Sequence, residues 1–500
     1  MKLFNSLICL PSRLRRQKPE FLKKTPFEIQ EKVFFNLIRK AKKTKWGKLY
    51  NYSAIRSIED FRRQVPLQRY EDLQVYIERM KTGEKNILWP GKIKKFACSS
   101  GTTGAKSKFI PVSLESLKDC HYKVGKSVGM AYLEYNNDSS LLTGKTLTLG
   151  GSQKKNEDNL YVGDLSAILM NNLPLWTYFS RTPDLNIALL GEWEEKLEKI
   201  VEASRYQNVT CLAGVPSWML VLLRRLLEKT GKDNILDIWP NLELFIHGGI
   251  SFSPYREQFK KLIPSDKMKY LEVYNASEGF FAHSEKPGDE DMLLMLDCGV
   301  FYEFIPMDEF GKDSPQALGL KDVEIGKNYA LIISTNGGLW RYIIGDTVIF
   351  TSISPYKIKI SGRTKHFINA FGEELMVSNA DQALEEACLK TGAAISDYTA
   401  GPIFMNENRN GGHEWLIEFS REPDDFMRFC SILDNTLKSL NSDYEAKRYK
   451  DIALSPPRVV KVRSGLFNDW LKNKNKLGGQ NKVPRLANSR EYLEELTKLF

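Results

Sequence analysis

The sequence predicts an α/β protein, with a large N-terminal α/β domain over residues 1–361 and a small C-terminal α+β domain over 362–500. Three observations carry this. Short apolar runs that end in glycine or a polar turn alternate with helical periodicity in VTCLAGVPSWML (209–220), LELFIHGGI (242–250) and YLEVYNASEG (270–279). Such alternation builds a sheet whose ligands sit where loops leave the strand ends. The chain has 500 residues, 42% of them hydrophobic, which is enough for more than one core. After Gly362–Arg363 the pattern changes to a separate set of short helices and strands.

Taken in order, residues 26–90 read as helical, with Phe34, Leu37 and Ile38 on one face and Trp46, Tyr50 and Tyr52 capping the region against the main body. A helix is expected from Ser113 to about Tyr135, and a strand and turn over 141–150 that end in Gly150–Gly151. Trp193, Leu197, Ile200 and Val201 follow helical spacing, with Glu195 and Lys199 as an i,i+4 pair. YALIIST (329–335) and GLWRYIIGDTV (338–348) form a hairpin turning at Asn336–Gly337. Ser378 with Asp381 reads as a capping box for a helix to Lys390, stopped by Gly392. Strands flank Asn410–Gly412, and Phe426, Phe429, Leu433, Leu437 and Leu440 mark an amphipathic helix. VVKV (459–462) is a last strand, and KNKNKLGGQNKVPRL (472–486) has the composition of a mobile basic loop.

Composition narrows the function classes. Lys plus Arg exceed Asp plus Glu by 72 to 62, a net +10 that suits an anionic ligand such as a nucleotide but makes no case for nucleic acid. The seven cysteines lie far apart, without a CxxC pair or zinc spacing, as expected for reduced thiols in the cytoplasm. The start, MKLFNSLIC, is too short in its apolar run for a secretory signal and reads as an amphipathic segment. No run is long enough to span a bilayer.

The chemistry concentrates in FACSSGTTGAKSKF (96–109), a hydroxyl-rich and glycine-rich loop between buried flanks, suited to a polyphosphate. It fits neither the Walker spacing nor GxGxxG. Gly248 and Gly249 leave a strand end without Cβ atoms, where a flat ring could approach. Glu278 beside a phosphate loop calls for a cation between them, and Mg²⁺ held by one carboxylate plus phosphate oxygens is the natural bridge. The plainer alternative is a helix start, with Ser277 capping and Glu278 favouring the dipole. Asp346, at the end of an apolar strand, can accept hydrogen bonds from ribose hydroxyls; the plain alternative is a turn aspartate. His121 reads as a structural residue.

SSGTTGAKSKF, YNASEGFF, WRYIIGD, SGRTKHFINAFGEEL and GGQNKVPR occur in this order over nearly the whole chain. The set resembles the ANL acyl-adenylate-forming superfamily, and within it the auxin-responsive family of acyl acid–amido synthetases. The resemblance implies a large adenylate-forming domain and a mobile C-terminal one. It implies a ligase that activates a carboxylic acid with ATP and Mg²⁺ as acyl-AMP, then transfers the acyl group to an amine, normally of an amino acid. Ser99, Ser100, Thr102 and Thr103 then match the phosphate loop. Gly248, Gly249, Val273, Tyr274, Asn275 and Ala276 match the adenine site. Glu278 matches the metal carboxylate, Asp346 and Arg363 the ribose contacts, and Lys482 the lysine that meets the α-phosphate. Lys482, Thr103 and Glu278 are the implied catalytic set. Ser107 stands where the family often has proline, and Asn275 where it has a small residue. Acyl transfer to a coenzyme A or carrier thiol stays open, as does a non-catalytic nucleotide-binding module.

Overall fold

The computed structural model describes residues 25–99, 108–155, 160–173, 175–250, 252, 255–312, 314–364, 367–373, 375–406, 409–451, 453–474 and 483–500. The amphipathic start with Cys9, loop residues Ser100, Thr102, Thr103 and Ser107, and Lys482 lie outside the described residues.

Among the described residues four helices come first: α1 (Pro26–Ala41), α2 (Lys45–Leu49), α3 (Ile58–Gln64) and α4 (Tyr70–Lys81). Proline at the first turn of α1 loses no helical hydrogen bond, and Phe34, Leu37 and Ile38 are buried as their spacing predicts. Strands β1 (Lys95–Ser99) and β2 (Lys108–Pro111) pair antiparallel with Ser99 opposite Lys108, so the hydroxyl-rich stretch is the connection of a hairpin. A π-helical turn, Ser116–Tyr122, runs into α5 (Lys123–Tyr135). Then follow β3 (Lys145–Thr148), β4 (Gln153–Lys155), β5 (Tyr161–Gly163), α6 (Leu165–Asn171), β6 (Arg181–Thr182), α7 (Leu185–Ala188), α8 (Trp193–Ser204), β7 (Val209–Gly214), α9 (Pro216–Thr230), β8 (Leu244–Gly248), α10 (Arg256–Leu262) and β9 (Lys269–Ala276). In α9, Pro216 opens the helix and Gly231 closes it at φ +63°, while Leu220, Leu223 and Leu226 face inward. Glu195 and Lys199 of α8 pair at 2.6 Å.

The chain continues through β10 (Gly279–His283), β11 (Met292–Leu294), β12 (Val300–Pro306), β13 (Asn328–Thr335), β14 (Tyr342–Ile353) and β15 (Tyr356–Arg363). The main sheet has eleven strands in the order β12-β13-β14-β15-β11-β10-β9-β8-β7-β3-β6. From β9 to β6 neighbours run parallel, and from β9 to β12 antiparallel. The expected α/β alternation thus describes half of the sheet, and the other half is an antiparallel array. β9 is the seam between them.

The main sheet ends at Arg363. Beyond it come β16 (Phe367–Ile368), β17 (Leu375–Met376), α11 (Val377–Thr391), β18 (Ala394–Ile403), β19 (Gly412–Arg421), α12 (Phe426–Leu440), α13 (Ser442–Arg448), β20 (Arg458–Val462), α14 (Leu466–Asn473) and α15 (Glu491–Thr497), with sheets of their own. Gly392 ends α11 at φ +66° as expected, but the capping contact differs. Asn379, not Asp381, accepts the N–H of Met376 at 3.1 Å, and Asp381 accepts the Tyr398 hydroxyl. Of 472–486, expected as a mobile basic loop, residues 475–482 lie outside the described residues. Residues 472–473 finish α14, Val483 and Leu486 are buried, and Ala400 N–H donates to Arg485 O at 2.9 Å.

The two parts share one apolar cluster, in which Leu220, Leu223 and Phe259 join Phe371, Leu384 and Trp415. The Tyr255 hydroxyl donates to Ala370 O at 2.6 Å, and Arg224 donates to Asn406 O at 3.0 Å.

Candidate active site

β9 organises the site because it borders both halves of the sheet. Side chains alternate along it. Tyr274 points to one face, where its hydroxyl donates to Asp346 Oδ2 at 2.6 Å. Burial pushes that hydroxyl well up, so it stays a donor at neutral pH. Asp346 on β14 and Arg363 on β15 are cross-strand partners, and Arg363 Nε donates to Asp346 Oδ1 at 2.7 Å. Gly345 takes the left-handed φ of +97° just before Asp346, and its carbonyl accepts the Thr364 N–H at 2.8 Å. Both oxygens of this 8%-exposed carboxylate are therefore fixed by charge-assisted contacts, which is no plain turn aspartate.

Asn275 and Val273 point to the opposite face. Asn275 Oδ1 accepts from His121 Nδ1 at 3.1 Å, which brings the π-helical turn against β9. Burial pushes His121 down to about 4, so its ring is neutral. Ala276 pairs with Gly279, leaving Ser277 and Glu278 as the turn between β9 and β10. The pair therefore starts no helix; β10 turns the chain back. Glu278 is half-buried, and its charge contributes to raising Tyr274 and Tyr342.

Gly248 is opposite Val273, and a Cβ there would lie 2.3 Å from the Val273 carbonyl oxygen. The neighbouring strand alone demands that glycine. Gly249 has φ +83°, the left-handed region that favours glycine. Ser99 stands at the end of β1, in a separate four-stranded sheet of order β2-β1-β5-β4. The structure thus joins Tyr274, Asp346 and Arg363 directly, and sets Gly248 of β8 beside Val273, with Val273 and Asn275 on β9 and Glu278 in the turn that follows it.

Several side chains escaped the sequence. Lys196 is 2% exposed and its ammonium donates to Gly150 O at 2.6 Å, Gly151 O at 2.9 Å and Leu190 O at 3.3 Å, clamping the loop after β3. Burial lowers it to about 8. His247, next to Gly248, stacks on Phe252 at 4.1 Å, and its Nδ1 is buried without a hydrogen bond among the described residues. Burial, with Arg256 adding to it, pushes His247 down to about 3. Arg341, within WRYIIGD, is buried at φ +42°. It donates to both oxygens of Glu303 at 3.0 and 3.1 Å and to the carbonyls of Arg62 and Val65. A tryptophan pair, Trp193–Trp218 at 4.1 Å, lies where α8 meets α9. None of these contacts is an i,i+3 or i,i+4 pair, so none has a local signal to read.

Family models match three stretches of the chain: the GH3 family N-terminal domain over residues 15–268, the central domain over 293–363 and the C-terminal domain over 378–491. The chain belongs to the GH3 family. Among its curated relatives, the indole-3-acetic acid-amido synthetase GH3.3 of Arabidopsis thaliana is 24% identical, over 94% of this chain and 90% of that protein. The 4-substituted benzoates-glutamate ligase GH3.12 of Arabidopsis thaliana is 23% identical, over 88% and 89%. Among solved structures, the AtGH3.15 acyl acid amido synthetase in complex with 2,4-DB superposes with a TM-score of 0.60 at 18% identity, covering 96% of this GH3 chain and 95% of that one. A 2-hydroxyisobutyryl-CoA ligase superposes with a TM-score of 0.54 at 12% identity, covering 97% and 92%. The GH3 chain thus has the mixed α/β fold with a large N-terminal and a smaller C-terminal part that these enzymes share.

Proposed function

We propose that this GH3 protein is an acyl acid–amido synthetase, which activates a carboxylic acid with ATP as acyl-AMP and passes the acyl group to the amine of an amino acid. The observation that carries the reading is the Tyr274–Asp346–Arg363 corner. A carboxylate with both oxygens oriented from two strands presents its remaining lone pairs to a pair of vicinal hydroxyls, as a ribose requires. Gly248–Gly249 and β9 supply the adenine wall, and the β1–β2 connection with Ser99, Ser100, Thr102 and Thr103 takes the phosphates. The relatives' names supply the reaction class: indole-3-acetic acid-amido synthetase and a benzoates-glutamate ligase.

Glu278 fits Mg²⁺ by its donor set. It offers one half-buried carboxylate at a tight turn, and the described residues hold no group of three or more His, Cys, Asp or Glu that could chelate a metal by themselves. A hard cation that shares one carboxylate with phosphate oxygens suits that arrangement. When bound, Mg²⁺ would offset charge on the phosphates. The chain's own groups do the rest. The attacking carboxylate is already ionised at neutral pH, so no general base is needed. Thr103 and Lys482 act on charge at the phosphates, Lys482 at the α-phosphate. The C-terminal part, from about residue 362, turns about the segment after Arg363 to exchange Lys482 for an amine route. The cytoplasm, with its ATP and reduced thiols, is the compartment this chemistry fits.

Acid-dependent exchange of pyrophosphate into ATP, run over a panel of carboxylic acids and followed by mass analysis with mixed amino acids, tests the reading. An acyl amino acid product is expected. Thioester with coenzyme A and no amide would replace the acceptor, and no acyl-AMP with any acid would sink the adenylation step.

A further inference from the structure

Three helices meet where the C-terminal part packs on the main body: α8 and α9 from one side and α13 from the other. Trp193 of α8 packs edge-on against Trp218 of α9, with ring centroids 4.1 Å apart. The ammonium of Lys447, on α13, lies 5.1 Å from the centroid of the Trp218 ring. Lys450, just beyond α13, pairs with Glu194 of α8. Gly372 lies against Lys447: a Cβ there would stand 3.4 Å from Lys447 Cε.

Lys447 is 9% exposed. A buried cation ordinarily spends its charge on oxygen. Lys196 does so on three carbonyls, Arg341 on Glu303 and Arg448 on Asp434. The Lys447 ammonium faces an aromatic ring instead, and no carboxylate or carbonyl accepts from it among the described residues. Trp193 Nε1 is a second such donor, buried and without a hydrogen bond among the described residues. Buried donors without acceptors are rare enough that two beside one ring call for a partner. A carboxylate fits both, since it only accepts hydrogen bonds and carries the opposite charge. The place is the ligand end of the parallel strands. α9 starts just after β7 ends at Gly214, and Gly214 pairs with His247, the residue before Gly248. Val215 Cγ2 is 3.5 Å from where a Gly249 Cβ would lie.

We propose that Lys447 and the Trp193 indole N–H bind the α-carboxylate of the amino acid acceptor, against the Trp218 ring. This rests on the amido synthetase reading above. Of the two substrates, only the acceptor keeps its carboxylate charge throughout, because the acid gives up its own on becoming acyl-AMP. A permanent cation therefore suits the acceptor. The site also draws on both parts of the chain, so it is complete only while α13 stays against α9. Acceptor binding is thereby tied to one orientation of the C-terminal part.

The test compares an amino acid acceptor with its α-carboxamide, which keeps the amine and loses the charge, using the acid and amino acid that the wild-type protein turns over. Wild type is expected to prefer the amino acid at least about tenfold in kcat/KM. Lys447→Gln is expected to lower kcat/KM for the amino acid about 10–10²-fold, mainly through KM, while the carboxamide reaction and pyrophosphate exchange stay within about threefold of wild type. Lys447→Arg keeps the charge and should restore most of the loss. Trp193→Phe keeps a ring and removes the N–H, and should cost about three- to tenfold with the amino acid alone. If Lys447→Gln does not fold, Trp193→Phe must show that selective loss by itself. Equal losses with both acceptors would make these packing residues, and an unchanged preference would put the carboxylate elsewhere; either result overturns the proposal. Wild-type protein that forms no acyl-AMP would instead bring down the adenylation reading, and this proposal with it.

Discussion

Two buried neutral histidines make this protein acid-labile by a predictable amount. His121 ionises in the fold at about 4 and His247 at about 3, against an ordinary value of 6.5. Both folded values lie below the unfolded one, so the unfolded chain takes up protons first as the pH falls. The stability they leave intact above about pH 6.5 is lost on acidification toward the folded values. By about pH 5 each unfolded imidazole is almost fully protonated and each folded one is not, which costs about 2 kcal/mol per histidine and about 4 kcal/mol for the pair. That is a large share of the 5–15 kcal/mol roughly typical of a folded domain. His283, lowered by burial, adds in the same direction. Glu272, raised by burial, works in the opposite direction nearer the acid end. Urea unfolding at about pH 7.5 and about pH 5 reads this as a fall in midpoint at constant m. His247→Phe keeps the ring stack on Phe252 and should remove about half of the fall. Equal stability at the two pH values, or the same fall in His247→Phe as in wild type, would refute the reasoning.

Four further outcomes are expected. Lys196, lowered to about 8 from 10.5, has the same pH sign as the histidines in a higher window: the unfolded chain holds its proton longer, so stability rises by up to about 3 kcal/mol between those values, a rise that Lys196→Met should abolish in alkaline unfolding. Arg341→Met leaves the buried Glu303 carboxylate with Arg62 as its remaining cation and should cost about 1.5–3 kcal/mol in urea unfolding, with Arg341→Met/Glu303→Gln recovering part of it. Asp346→Asn breaks the ion pair with Arg363 and should raise the KM for ATP at least about tenfold in pyrophosphate exchange, with little change in the KM for the acid. Lys482→Ala should lower exchange about 10²–10³-fold while the melting temperature holds; exchange at the wild-type rate would remove Lys482 from the adenylation step.

Local order was legible in the sequence where one periodicity decides the outcome. The α1 face, the helix that follows Pro216 and the Glu195–Lys199 pair all follow from spacing within one or two turns. The glycine-ended strands β7 and β8 were legible for the same reason. Ser277–Glu278 was not, because a cap and a hairpin turn use the same polar residues, and the choice falls to β10 pairing back on β9. Asn379 takes the place of the expected Ser378–Asp381 cap because the helix starts at Val377 with Met376 as its cap residue, and Asp381 accepts the Tyr398 hydroxyl instead. In the candidate site the contiguous motifs marked Asn275, Asp346 and Arg363, but not what they touch. Strand pairing sets Arg363 beside Asp346, and the π-helical turn sets His121 against Asn275. Gln30 is a further case. From inside α1 it closes Leu296 O, Val300 O and Tyr302 N–H, some 270 residues away, with nothing local to announce it.

Arg363 is both the last residue of the main sheet and the partner of Asp346. A nucleotide that engages Asp346 therefore acts on the same few atoms from which the chain departs toward its C-terminal part. Binding equilibria that share an element are reciprocal: whatever free energy a nucleotide contributes toward one orientation of the C-terminal part, that orientation returns to nucleotide affinity. The coupling needs no relay through the core. On the proposed reading it would also set a direction of traffic, because ATP, acyl-AMP and AMP differ at the phosphate end and share the ribose end, so the Asp346 corner would report occupancy and the phosphate end progress.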